Sequence, residues 1–125
     1  MIDHASMHVT DFAQAKDFYS KALAPLGYSL IADMAEWKVA GFGADSKADF
    51  WINADGSEQT NHVAFAAKDK AAVDGFHAAA LAAGGKDNGA PGYRKDYSPG
   101  YYAAFAHDMA GHNIEVVFHD PNPSA

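Results

Sequence analysis

The chain contains an internal repeat with an offset of 58 residues. His4 is followed seven residues later by Asp11, and His62 is followed seven residues later by Asp69. Such a duplication predicts two similar supersecondary units related by a pseudo-twofold axis, which places the two histidines at equivalent positions. The same offset superposes further identical residues: Ala13 on Ala71, Phe18 on Phe76, residues 22–24 on 80–82, and Gly27 on Gly85.

The length of the chain suits one domain better than two. Each repeat, with an offset of 58 residues, would be only marginally stable alone, whereas 125 residues can bury most of the surface that the unfolded chain exposes. A composition of 49% hydrophobic and 20% charged residues is typical of a globular protein. We therefore expect a single domain, residues 1–125, built of two modules at about 1–55 and 60–120 that share a core.

The charge and residue usage exclude several classes of partner and site. The formal net charge is −7, which disfavours nucleic acid and anionic membranes as partners. There is no cysteine, so disulfides, thiolate metal sites and a cysteine nucleophile are excluded. The sequence shows no signal-like or membrane-spanning apolar stretch, which predicts a cytoplasmic protein.

Each repeat has the pattern of a βαβββ unit. Asp11 is a good helix N-cap with Gln14 three residues later, and Pro25 and Gly27 end that helix. Two such units predict an α+β fold, with a curved mixed sheet, helices on its outer face and a concave inner face. The predicted strands are 2–9, 28–34, 37–43, 48–53, 61–67, 101–106 and 113–118. One helix is predicted to begin at 11 and the other to span 69–83. A linker covers 54–60, and one strand within 84–100 is poorly defined.

Strand alternation places His4 and His62 on the inner face, where a metal ion would bind. Glu115 lies in the middle of the apolar last strand, and a buried carboxylate is costly unless a positive charge pairs with it. Two imidazoles and one carboxylate form a common ligand set for divalent first-row metals and leave positions open for substrate. His4, His62 and Glu115 are therefore the candidate ligands of one divalent ion, with Zn, Fe, Mn and Ni left open. The alternative is a polar inner face without a metal.

A tyrosine-rich segment at 91–102 supplies further candidate catalytic groups. Arg94 is the only arginine of the chain and suits a carboxylate or phosphate, while the phenol of Tyr101 suits orientation of a substrate or proton donation. Together with Glu115 they are the candidate catalytic residues. The alternative is a packed loop with a solvated Arg94. His8 shares the inner face with His4, and four other histidines receive no role: His77, His107, His112 and His119.

The chain resembles the vicinal oxygen chelate superfamily, which includes glyoxalase I, extradiol dioxygenases and proteins of fosfomycin and bleomycin resistance. The similarity rests on His4 with Val9 and Asp11, on 17–19 before Leu26-Gly27, on strand 61–65, and on 108–115. In metal-binding members, a histidine on the first strand of each module and a glutamate on the last strand are ligands. The resemblance implies that His4, His62 and Glu115 have these roles.

The departure from the glyoxalase pattern that bears on the site is at a ligand position. Glyoxalase I members have a fourth ligand in the last strand of the first module, where this chain has Trp51. An indole does not bind a metal, so the departure favours dioxygenase-like or transferase-like arrangements over a plain glyoxalase.

The expected function is that of a small metal-dependent enzyme with lyase, dioxygenase or transferase chemistry on a small oxygenated substrate. The alternative is a metal-free protein that sequesters a ligand, as bleomycin-resistance members do; Trp51 and the acidic charge favour it. The resemblance also implies a homodimer, and the sequence leaves open whether the site uses one chain or is completed by residues of a second copy.

Overall fold

The computed structural model describes residues 4–54 and 61–123, and within these ranges it contains two βαβββ modules. The first module has β1 (Ala5–His8), α1 (Phe12–Ala22), β2 (Ser29–Met34), β3 (Val39–Ala44) and β4 (Lys47–Asn53). The second has β5 (His62–Ala66), α2 (Lys70–Ala82), β6 (Lys86–Tyr93), β7 (Tyr101–His107) and β8 (Asn113–His119). Short 3-10 turns lie at Ala24–Leu26 and Ala35–Trp37. The predicted α+β class and repeat are confirmed.

Both helices begin where the repeated aspartates predict. The Asp11 carboxylate accepts a hydrogen bond of 3.0 Å from the Gln14 backbone N–H, and Asp69 accepts one of 2.8 Å from Ala72. Each carboxylate thus satisfies an N–H group that lacks a partner within the helix. The 3-10 turn at Ala24–Leu26 ends at Gly27, whose φ of 82° suits a residue without a side chain.

The eight strands form two four-stranded mixed sheets with the same order. The first sheet runs β1-β4-β3-β2 and the second runs β5-β8-β7-β6. In each module the first strand pairs parallel with the last, and the other pairs are antiparallel. The pseudo-symmetry of the sequence is therefore retained in the hydrogen-bonding pattern.

One hydrophobic core contains residues of both modules. Phe50 on β4 and Phe65 on β5 meet edge to face with ring centroids 5.2 Å apart, and Tyr28 packs on Phe65 at 5.6 Å. Both helices contribute buried aromatic rings to the same cluster, Phe18 from α1 and Phe76 from α2. Burial of these rings provides the main stabilising term, because apolar area removed from water dominates folding.

A buried histidine joins the two modules through the backbone. The Asn61 N–H donates to His112 Nδ1 at 2.9 Å, so the imidazole proton lies on Nε2 and is donated to the His8 carbonyl. His112 is completely buried. This contact ties the end of β1 to the start of β5.

The strand that the sequence left poorly defined is β6. Its pairing with β7 shifts register near Gly89 and Gly92, which removes the regular alternation that predicts strands. Of the predicted linker 54–60, only Ala54 is among the described residues, and the first two residues of the predicted strand 2–9 also lie outside them. Neither described α-helix has the length and apolar character needed to cross a membrane.

Candidate functional site

The predicted site residues of the second module lie on the sheet face that points away from α2. Tyr102 on β7 donates a 2.6 Å hydrogen bond to Asp74 of α2, so the residues that alternate with Tyr102 point away from this helix. We call this the open face. Strand register assigns to it His62 and Ala64 on β5, Tyr101, Ala103, Phe105 and His107 on β7, and Asn113, Glu115 and Val117 on β8.

His62 and Glu115, two of the three predicted metal ligands, are in contact. The distance from His62 Nε2 to Glu115 Oε1 is 3.0 Å. Glu115 is 3% exposed, whereas half of the His62 side chain is accessible. The carboxylate therefore lies below the surface, and the imidazole is the part of the pair that solvent or a ligand reaches.

The hydrogen bonds of this pair leave two facing acceptor atoms that are joined by either a proton or a metal ion. His62 Nδ1 lies 3.1 Å from the Asn113 carbonyl, which can only accept, so Nδ1 carries a proton. A neutral imidazole then presents a lone pair at Nε2 to a carboxylate oxygen. Two acceptors meet at 3.0 Å only with a proton or a metal ion between them. Fixing Nδ1 on a carbonyl is also how proteins orient histidine ligands.

Tyr101 holds the other oxygen of the glutamate. Its hydroxyl donates to Glu115 Oε2, so each end of the carboxylate has a partner. Burial, followed by the hydrogen bond to Glu115, raises the pKa of Tyr101 to about 12. The phenol is therefore protonated at neutral pH and acts as a donor rather than a base. Its ring meets His119 at 5.3 Å and Tyr97 at 5.0 Å.

The remaining predicted residue of this module, Arg94, also reaches the open face. It follows β6, and its backbone N–H donates to the Tyr101 carbonyl at 2.7 Å. The guanidinium carbon lies 5.4 Å from the centre of the Phe105 ring, and that ring stacks near His62 with centroids 6.4 Å apart. The structure thus brings four predicted residues to one face: His62, Glu115, Tyr101 and Arg94.

His4 does not join this group within one chain. It is exposed and immediately precedes β1 in the other sheet. Across residues 4–54 and 61–123, no three His, Cys, Asp or Glu side chains are grouped so that they could hold a metal. A single chain therefore offers two of the three predicted ligands together.

Trp51 lies in the first sheet, beside β1. It pairs with Ser6, and its ring packs on the backbone of Gly41, where an added Cβ would be 2.7 Å from the indole. Next to it, His8 Nδ1 lies 3.1 Å from the Asn53 side-chain oxygen. This part of the first sheet therefore combines an apolar ring with a polar pair.

Sequence reasoning missed Phe105 and Asn113. Phe105 pairs with Glu115 and separates it from Arg94, and Asn113 supplies the carbonyl that orients His62. A hairpin turn at 108–112 was recognisable, and counting outward from its centre places 105 opposite 115. The role of Asn113 uses only its backbone, for which a sequence carries no signal.

Solved structures with a similar fold cover nearly all of the chain. A glyoxalase/bleomycin resistance protein from Albidiferax ferrireducens is 27% identical with a TM-score of 0.80, over 94% of this chain and 98% of that one. A lactoylglutathione lyase from Agrobacterium tumefaciens is 18% identical with a TM-score of 0.70, over 94% and 92%. A glyoxalase/bleomycin resistance protein/dioxygenase family enzyme from Burkholderia phytofirmans is 17% identical with a TM-score of 0.69, over 94% and 97%. No family model and no curated protein matches the chain.

Proposed function

We propose that this chain, which has the vicinal oxygen chelate fold, is a metal-dependent enzyme acting on a small oxygenated substrate. The observation that carries the proposal is the contact of His62 Nε2 with Glu115 Oε1. Their outer positions are occupied by the Asn113 carbonyl and the Tyr101 hydroxyl, so the two inner atoms are oriented towards one point. An imidazole nitrogen and a carboxylate oxygen suit Zn, Fe, Mn or Ni.

The third ligand in this proposal is His4 of a second copy of the chain. The described residues of one chain hold only the pair, while His4 is exposed at the equivalent position of the other module. If the twofold interface joins the first module of one chain to the second module of the other, His4 of each chain meets the pair of its partner and two sites form per dimer. The proposed assembly is therefore a homodimer in which each site uses both chains.

The residues of the open face have separate roles in the proposed site. A divalent ion bound there would polarise a substrate carbonyl or stabilise a developing oxyanion. Glu115 would hold the ion through Oε1, and Oε2, which the Tyr101 hydroxyl keeps in place, is the oxygen that would take up a substrate proton. Because the single proton of the Tyr101 hydroxyl is donated to Glu115, the phenol oxygen orients a substrate as an acceptor while this bond is intact. Lyase, dioxygenase and transferase reactions all use such groups.

The metal proposal is tested by titrating chelator-treated protein with Zn, Fe, Mn and Ni by calorimetry. Wild type should bind one ion per chain, and His62→Ala and Glu115→Gln should each reduce the affinity roughly a hundredfold or more, as loss of one ligand does. His77→Ala is the matched control, because His77 pairs with Asp87 beside α2 and away from the open face. Equal affinities in all four proteins would refute the ligand assignment.

The proposed dimer is tested by mixing two defective variants. His4→Ala keeps the pair of its own chain, and His62→Ala/Glu115→Gln keeps His4. If sites form between chains, exchange of subunits restores about one quarter of the wild-type sites, because half of the dimers are mixed and each has one intact site. If all ligands come from one chain, mixing restores none.

A second candidate function is metal-free binding of an aromatic ligand. The half-buried indole of Trp51 on the first sheet favours it, because an aromatic surface binds rings without a metal. Saturable quenching of tryptophan fluorescence by an aromatic ligand in excess chelator, without turnover, would support this function. The cytoplasmic location stays a prediction, to be checked by cell fractionation.

A further inference from the structure

The side chain of Arg94 is held along the open face of β6. Its Nη1 donates to the Gly92 carbonyl at 2.9 Å, and its Nη2 donates to the Ala90 carbonyl at 2.8 Å. The strand leaves room for it because Gly89 and Gly92 have no side chains. A Cβ at these two positions would lie 3.1 Å from Nη2 and 3.3 Å from Nη1, respectively. Two carbonyls and two glycines thus fix the guanidinium group before any ligand arrives.

The charge of Arg94 is not neutralised by an acidic residue. Within the two described ranges it forms no ion pair with an aspartate or glutamate, and its two hydrogen bonds go to neutral carbonyls. A guanidinium group has five N–H donors, so three remain. An oriented, half-buried cation without a counter-ion is suited to bind an anionic ligand.

The position of Arg94 connects it to the proposed metal centre. Phe105 lies near both Arg94 and His62. The guanidinium carbon of Arg94 is 5.4 Å from the centre of the Phe105 ring, and the His62 ring is nearly parallel to it with centroids 6.4 Å apart. The apolar Phe105 ring is therefore shared between the Arg94 cation and the His62–Glu115 pair. Arg94 and His62 are neighbours of one apolar ring, which places the cation close to the proposed centre.

We propose that Arg94 is a specificity-determining residue that binds the carboxylate of a small substrate, whose oxygenated carbon then lies at the His62–Glu115 pair. This inference rests on the proposed function for the second end of the molecule. A carboxylate is favoured over a phosphate for two reasons. The fixed guanidinium offers a planar edge that matches a planar carboxylate, and a single negative charge is repelled less by Glu115 and by the net charge of −7.

The test measures binding of pyruvate, lactate and benzoate by ligand-observed NMR in excess chelator. Each carboxylate is compared with its amide, and inorganic phosphate is included. Wild type should bind at least one carboxylate and not its amide. Arg94→Gln should weaken this binding roughly tenfold to a hundredfold, the range expected for a charge-assisted pair. Lys95→Gln, which removes an exposed cation next in sequence, should bind as wild type does.

A second variant keeps the charge. In Gly92→Ala the new Cβ would lie 3.3 Å from Nη1, which has to shift by a few tenths of an ångström, and a loss of affinity of a few fold would show that the fixed geometry matters. Equal binding of a carboxylate to wild type and Arg94→Gln, or binding of phosphate alone, would overturn the inference. The NMR test is run in excess chelator, so its result does not depend on a bound metal. Carboxylate binding there, together with no metal binding in the calorimetric titration, would support this inference and refute the proposed metal centre. Normal metal uptake without carboxylate binding would do the reverse.

Discussion

The hydroxyl of Tyr19 on α1 donates a 2.5 Å hydrogen bond to the carboxylate of Asp108, which lies 89 residues later in the β7–β8 turn. The other carboxylate oxygen accepts from the backbone N–H groups of Ala110 and His112. Burial, with the charge of Asp108 next in size, raises the pKa of Tyr19 well above its usual value. The first module thus holds, through one phenol, the turn that leads into β8 and Glu115.

Tyr19→Phe removes this donor and leaves one oxygen of a buried carboxylate without a partner. We expect the free energy of unfolding to fall by about 1–3 kcal/mol, the usual cost of an unsatisfied buried group. Urea denaturation measures the change. Tyr97→Phe, at a tyrosine that is 64% exposed, is the control and should stay within about 0.5 kcal/mol of wild type. Equal losses in the two variants would contradict a specific role for the Tyr19–Asp108 bond.

The coupling between Tyr101 and Glu115 predicts a change in titration. The pKa of Tyr101 is raised to about 12 by burial first and by Glu115 second. Glu115→Gln removes the negative charge but not the burial, so the pKa should fall while staying above the ordinary value of 10.0. Tyrosinate absorbance after a rapid pH jump, taken as the difference between Glu115→Gln and Glu115→Gln/Tyr101→Phe, reports this group alone. An unchanged midpoint would mean that the hydroxyl does not face the carboxylate in solution.

The contact of His77 with Asp87 predicts an acid-dependent loss of stability. Asp87 accepts from His77 Nε2 at 2.9 Å and from the Gly89 N–H at 2.9 Å, and these two bonds lower its pKa below 3.8. A lowered pKa in the folded state stabilises the fold above the unfolded value, and this contribution is lost as pH falls through the folded value. The melting temperature of wild type should therefore exceed that of Asp87→Asn at about pH 5, and the difference should vanish towards about pH 2. A difference that persists in acid would exclude the ionised carboxylate as its cause.

The fold was predictable to the extent that its pattern is local. The repeated aspartates set the starts of both helices, and strand alternation put His62 and Glu115 on one face. The strand β6 was not predictable in detail, because Gly89 and Gly92 interrupt the alternation of apolar and polar residues. The two glycines make room for the side chain of Arg94, a contact that only the structure reveals.

The candidate site was predictable in type but not in assembly. The equivalent strand positions of His4 and His62 predict that both side chains face inward. They do not determine whether the two modules that share a site belong to one chain or to two. The packing of the modules within a chain depends on long-range contacts such as Phe50 with Phe65, for which neither residue carries a local signal. The same holds for Tyr19 and Asp108, since a buried phenol and a turn aspartate have no pattern that relates them.

Gly41 and Trp51 predict a steric coupling on the first sheet. Gly41→Ala would put a Cβ 2.7 Å from the indole, so the ring has to move, and we expect a destabilisation of about 1–3 kcal/mol from overpacking. In Gly41→Ala/Trp51→Ala this clash is absent, so the double variant should lose less than the sum of the two single losses. Gly43→Ala, alone and combined with Trp51→Ala, is the matched control, because its Cβ would meet the Lys47 backbone at 1.7 Å, a clash that Trp51→Ala does not relieve. Urea denaturation of all five variants measures the coupling, and additive losses for Gly41→Ala with Trp51→Ala would show that the indole does not rest on this strand.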